Sequence, residues 1–340
     1  MWHACGGRLE GVSQTFPAAA AVELAVVERS GYIESRHVGS AVVLGPDGEV
    51  QREYGDVSAT ILPRSTLKPM QALACIGAGA ELSGAHAAIA TASHTGTDRH
   101  VALVRDILSM AQLGEDDLGC PAAWPQDAAT RDELVRDGAQ PARIRMNCSG
   151  KHAAMLLACR RTGWDIDGYL DPQHPLQVQI RELIERLTGA RVAATAVDGC
   201  GAPVYAISLA GLARAVHRIA TSSSTSPFAL HRNAGALVQA VRENPWVIAG
   251  PGRPDSVAIE RLGVFSKGGA EGVHVMSAPD GTTVALKMLD GSGRATAAVA
   301  LRLLALAGAL EAADVSDTLS QLPLAVEGGG RDVGTIRPAF

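Results

Sequence analysis

Strand-like segments sit near both ends of this chain and helix-like ones fill the middle, an order that admits few architectures. Val22 to Val27 and Tyr32 to Leu44 are rich in β-branched residues, and Gly45-Pro46-Asp47-Gly48 supplies a turn before Val50. In the last third, His274 to Ser277 and Thr283 to Leu289 flank Pro279-Asp280-Gly281, a strong hairpin signal. Helical patterns run over His100 to Leu113, Thr130 to Asp137, Ala153 to Arg161, Asp171 to Thr188 and Phe228 to Glu243. Val192 to Val197 is strand-like, Pro203 is placed to begin a helix reaching His217, and Arg294 to Ala312 reads as one long helix. The expectation is an α+β fold: an antiparallel sheet from N- and C-terminal strands, with a helical block packed on it.

Residues 1–17 show no periodicity and read as a loose lead-in; residues 18–340 read as one catalytic domain, with a helical subdomain over about 66–245. A chain of 340 residues buries a sizeable core without disulfides. Aromatic residues make up only 4%, so that core must come from small side chains and closely packed helices. The net charge of -5 gives no footprint for nucleic acid or an anionic membrane, which leaves small-molecule chemistry. Met1 to Phe16 lacks a basic segment followed by an apolar one, and no purely apolar run is long enough to span a bilayer. A soluble cytoplasmic protein is expected, with its six scattered cysteines reduced.

Chemistry gathers first at Arg64-Ser65-Thr66-Leu67-Lys68-Pro69-Met70-Gln71. In a helix starting near Ser65, residues three apart share a face, so the Ser65 hydroxyl and the Lys68 amine point the same way. A neutral lysine so placed takes the proton of a serine attacking an acyl group. Pro69 lies in the first turn, where its missing N–H costs nothing. The residues from Met70 to Ala80 are apolar on nearly every face, so the helix is buried and holds Ser65 rigidly. The same S-x-x-K spacing also arises from a capping serine and a solvated lysine.

Other small-residue loops each present reactive groups: Ser93/His94, Cys148/Lys151/His152, Asp198/Cys200, and Lys267 among glycines just ahead of a strand. Their order resembles the S-x-x-K and K-x-G series of serine acyltransferases, with Ser93-His94-Thr95 a poor match to the middle element. Two ammonium groups in one pocket repel, which favours a neutral amine. A free lysine titrates near ~10.4 and a base useful at neutral pH needs roughly 7 to 8, a difference of about 4 kcal/mol. Burial and a neighbouring charge together supply it.

The segments RSTLKPMQ, TASHTGTDRHV, MNCSGKHAAML, DGCGAP and SKGGAEGV resemble the bacterial L-asparaginase II, or rhizobial-type, asparaginases, from about Val22 to Ala312. The resemblance implies a fold related to glutaminases and serine β-lactamases, in accord with the α+β plan. It also implies Ser65 as nucleophile with Lys68 its base, Ser93 and Lys267 as a second Ser–Lys pair, and Cys148, Lys151 and Cys200 as a zinc cluster. Arg64, His94, His152 and Asp198 would line the substrate site, where a carboxylate meets the substrate ammonium and Arg64 or Arg253 forks its α-carboxylate. The implied activity is hydrolysis of L-asparagine to L-aspartate and ammonia, by a homodimer. Glutaminase or another serine amidase is the alternative, and a metal- or amino-acid-binding protein without catalysis a second.

Read from the residues alone, the metal has weak support. Neither Cys148 nor Cys200 belongs to a C-x-x-C pair, free cysteine is ordinarily a small buried hydrophobe, and a lysine ligand must first lose its proton. Cys75 and Cys159, inside apolar helices, read as core, and Asp198 alternatively as a cap for the helix after Pro203.

Overall fold

The computed structural model describes residues 14–340. Most of the lead-in therefore lies outside the described residues; Ala18–Ala20 forms a single 3-10 turn. Eleven strands follow among the described residues: β1 Val22–Arg29, β2 Tyr32–Leu44, β3 Val50–Tyr54, β4 Thr60–Ile61, β5 Ala194–Val197, β6 Pro203–Ser208, β7 Phe265–Gly268, β8 Val273–Ser277, β9 Thr283–Met288, β10 Ala325–Gly328 and β11 Arg331–Pro338. The main sheet runs β10-β11-β1-β2-β9-β8-β7 with β3 beside β2, and its pairings are antiparallel. The expected joining of the chain's two ends is the β2–β9 contact, in register from Gly39 with Met288 to Leu44 with Thr283. Helices Leu209–Ala220 and Thr296–Leu306 pack against it.

The helical block is centred on Lys68–Gly77, which touches Gly84–Thr91, Ser149–Thr162, Pro175–Thr188 and Ala229–Glu243. Small residues allow the close packing that an aromatic-poor core requires. A Cβ at Gly150 would lie 2.4 Å from the Ile89 carbonyl oxygen, so the first turn of Ser149–Thr162 meets the facing helix backbone to backbone. That contact also fixes where Cys148 and Lys151 emerge.

Four expectations need correction. Pro203 opens a strand rather than a helix: Pro203–Ile207 is buried at every position, and proline is tolerated as a strand's first residue. Ser208 then caps the helix by accepting the Gly211 N–H. Asp198 accordingly caps nothing after Pro203; it accepts the N–H of Gly199. Lys267 lies within β7, since Phe265–Lys267 is buried and pairs with β8. The helix expected over Arg294 to Ala312 is shorter, Thr296–Leu306, and stops before Gly308, whose φ of +78° breaks it; a further helix, Ala312–Leu319, follows. The hairpin β10–β11, which covers β1, was not anticipated, because its residues are mostly exposed and lack apolar alternation.

Candidate active site

The turn Arg64–Leu67 is a 3-10 turn that runs directly into Lys68–Gly77 and packs on β7 and β8. Arg64 holds a left-handed backbone, φ +54°, which a residue with a side chain adopts at a cost and which gathers at functional sites. The next residue is Ser65, partly exposed, whose hydroxyl makes no hydrogen bond among the described residues. Behind it, Lys68 to Cys75 are all buried. A Cβ at Gly269 would lie 2.9 Å from the Pro63 carbonyl oxygen, so the loop after β7 is pressed against this turn.

Two lysines meet on one serine. Lys68 and Lys267 are 0% and 1% exposed, and each donates from Nζ to Ser93 Oγ at 3.0 Å. Lys68 also donates to the Ala92 carbonyl at 2.5 Å and Lys267 to that of Gly268 at 2.6 Å. The loop bearing Ser93 is pinned by its N–H to the Ile248 carbonyl and by the His94 N–H to that of Asn147. Ser93 and Lys267 thus pair as the resemblance implies, and the Lys68 amine joins them; it makes no hydrogen bond to Ser65. Burial pushes the Lys267 ammonium down to about 8, with Asp255 opposing and Lys68 adding to the fall.

Cys148, Lys151 and Cys200 also converge. Lys151, 2% exposed, donates to Cys200 Sγ at 3.1 Å, and Cys148 Sγ lies 3.2 Å from Asn147 Oδ1. The two thiols face each other: Cys200, then Lys68 and Lys151, hold the Cys148 thiol well below its usual range against burial, whereas Cys148 and burial push Cys200 up. Asp198 Oδ2 is 3.9 Å from Cys200 Sγ. Among the described residues no three His, Cys, Asp or Glu side chains form a metal-sized group, so a metal here would need the lysine. Two cysteines and a lysine fit zinc once Cys200 and Lys151 release the protons that they hold here, since a thiol and an ammonium are not ligands until deprotonated. Cys75 and Cys159 are buried as expected, the latter pushed to about 11 by burial.

Arg64 and Asp198 form a part-buried pair, Nε donating to Oδ1 at 2.6 Å, which leaves the arginine's terminal nitrogens for another anion. Burial opposes ionisation of Asp198, but Arg64 and Lys151 outweigh it and keep its carboxyl low. Arg253, the other arginine considered for a substrate carboxylate, is exposed and sits at the N-cap position of Pro254–Leu262 without a side-chain bond to it. His152 is buried with Nδ1 2.6 Å from the Tyr169 hydroxyl, which also accepts the Gly119 N–H. Nε2 of the same ring is buried and has no hydrogen-bond partner among the described residues. Burial, Lys151 and Lys68 keep this ring neutral. His94 is packed inside, its Nε2 3.0 Å from Ser149 Oγ and its ring stacked on His100 at 5.1 Å.

Asp255 and Tyr169 are the neighbours that sequence reasoning missed. Asp255 lies in the first turn of Pro254–Leu262 and reaches the residues on either side of Lys267. A Pro-Asp pair at a helix start is a visible signal for a capping carboxylate, although not for its partner in β7. Nothing in the sequence around Tyr169 ties it to His152.

A sequence model of the L-asparaginase II family matches residues 25–338. The chain belongs to that family. It is accordingly an amidohydrolase, and its mixed helix and antiparallel sheet is the fold class expected. No curated protein matches the chain. Among solved structures, a Bacillus glutaminase is similar at 11% identity and a TM-score of 0.44, over 80% of this chain and 91% of that one. A β-lactamase from Mycobacterium bovis is similar at 16% identity and 0.41, over 79% and 94%. The native form of Mglu is similar at 13% and 0.43, over 78% of this chain, which spans 63% of Mglu's length. No helix of this family member, among the described residues, is long and apolar enough to cross a membrane.

Proposed function

We propose that this amidohydrolase converts L-asparagine and water to L-aspartate and ammonia through a Ser65 acyl-enzyme. The observation that carries the reading is the pair of buried lysines meeting on Ser93 directly behind the strained, accessible turn of Ser65. A buried lysine is rare, and two on one hydroxyl have no structural use that a neutral side chain would not serve better.

In this mechanism Ser65 Oγ attacks the side-chain amide carbon as its proton passes to the Lys68 amine. Backbone N–H groups at the helix start stabilise the oxyanion. Lys68 returns the proton to the amide nitrogen, the C–N bond breaks, and ammonia leaves. A water that gives its proton to Lys68 then cleaves the ester, and the proton goes back to Ser65 Oγ. Ser93 bridges Lys68 to Lys267, so that a proton on one amine can be exchanged for one on the other. Asp198 takes the substrate ammonium and Arg64 its α-carboxylate, while Nε2 of His152, without a partner among the described residues, is a further polar group for the substrate.

Zinc, where bound, would be held by Cys148, Cys200 and Lys151 and would supply a Lewis acid beside the substrate. Zinc content near one per chain that is lost in Cys200→Ser is the expected result; metal-free native protein would remove the assignment. Reduced thiols at this cluster support a cytoplasmic location.

Ammonia release from L-asparagine and L-glutamine, measured side by side, tests the substrate. One methylene is worth about 1 to 3 kcal/mol in a pocket, so kcat/KM should favour asparagine by roughly 10- to 200-fold. A reversed ratio would make the protein a glutaminase. Binding without release of ammonia from either would make it an amino-acid-binding protein.

A further inference from the structure

Around Lys267, β7 is held by a single carboxylate. Asp255, 8% exposed, accepts the Ser266 hydroxyl on Oδ1 at 2.6 Å and the Gly268 N–H on Oδ2 at 2.9 Å. These are the two neighbours of Lys267 along the strand. His274 on the paired strand β8 lies opposite Gly268, with Nε2 3.3 Å from Asp255 Oδ1 and Nδ1 3.1 Å from Thr296 Oγ1. Gly268 is part of the arrangement, since a Cβ there would lie 3.1 Å from Asp255 Oδ2 and crowd the carboxylate. A carboxylate so buried, bonded to both flanks of one lysine, is more than is needed to hold an edge strand that already has a ladder to β8.

We propose that Asp255 is a positioning residue for Lys267: it fixes β7 so that the amine reaches Ser93, and its negative charge sets how readily that amine gives up its proton. The inference rests on the Ser65–Lys68–Ser93–Lys267 reading above. The charged and titratable groups facing Lys267 are Asp255, Lys68 and Cys148, and those facing Asp255 are His274 and Lys267. Burial opposes the charge on Asp255, yet His274, Lys267 and Ser266 hold it ionised well below the usual carboxylate range. It therefore carries its charge throughout the range in which Lys267 titrates, and it opposes the loss of the lysine's proton.

The sign follows. In Asp255→Asn the amine loses its attracting charge, becomes neutral at lower pH, and carries the acid limb of the kcat/KM profile down by about one unit. KM for asparagine should stay within about twofold, because Asp255 touches no substrate-binding residue, while kcat at the optimum falls about tenfold as β7 loosens. A rate that falls evenly at every pH with the limb unmoved would reduce Asp255 to a brace and overturn the proposal, as would an unchanged enzyme. If Asp255→Asn does not fold, Asp255→Glu decides: the charge is kept and displaced, so the limb must stay while kcat drops, and a shifted limb overturns the idea. Lys267→Met is assayed alongside. Full activity there removes the reading on which the inference rests, whereas an inactive Lys267→Met beside an unaffected Asp255→Asn removes the inference alone.

Discussion

Ser65→Ala should abolish ammonia release, with kcat lowered at least about ten-thousandfold, while Ser93→Ala should leave an enzyme about a hundredfold slow. The two serines differ in what surrounds them. Ser93 Oγ already accepts from two amines, so both lone pairs of the oxygen that would have to attack are engaged. Ser65 Oγ is partly exposed, has no partner among the described residues, and follows a residue in a left-handed backbone. Its oxygen is free to reach a carbonyl carbon, and Lys68 lies one turn on. Removing Ser65 deletes the covalent intermediate itself, which is why the loss should be near total. Removing Ser93 only breaks the bridge between the amines. The check is a steady-state assay of both variants, with a mass-spectrometric search for an acyl-enzyme trapped on native protein. An acyl group on Ser93, or a fast Ser65→Ala, would exchange the two roles.

This division between the serines was only half visible in the chain. Ser65 and Lys68 declare themselves by a spacing of three in front of an apolar helix, because helical periodicity converts spacing into a shared face. That Lys68 turns instead to Ala92 and Ser93 depends on a loop twenty-five residues away, and periodicity carries no such information. Small-residue loops marked the positions of Cys148 and Cys200, and these do come together, whereas Lys267 lies within a strand and meets Ser93. The sheet was legible from its β-branched residues and turn signals, and residues 39–44 of the second strand pair with Thr283–Met288 without a register break. Pro203 misled because proline suits the first residue of a helix and of a strand alike; the buried run Val204–Ile207 decides between them. Arg331–Pro338 was missed because an exposed strand that only covers an edge needs no apolar face.

Lys68→Met should lower kcat about a thousandfold or more, and Lys68→Arg should not restore it. Methionine fills nearly the same buried volume, so the helix keeps its packing, and the change introduces no buried charge. Stability should therefore hold, with an unfolding midpoint within a few degrees of native. What is lost is the amine that receives the Ser65 proton and returns it to the leaving nitrogen. Arginine separates this role from mere positive charge: a guanidinium keeps the charge beside Cys148 and Ser93 but does not deprotonate in a protein. The pH profile of the residual activity gives a second reading. Lys68 helps to push the Lys267 ammonium down to about 8, so without that neighbour Lys267 should hold its proton to higher pH and any residual rate should rise later. Thus the acid limb moves up in Lys68→Met, opposite to the shift expected when Asp255 loses its charge, and in Lys68→Arg it should stay near its native position. Recovery of turnover in Lys68→Arg would show that the pocket requires a cation and not a base, and the proton route through Ser65 would have to be abandoned.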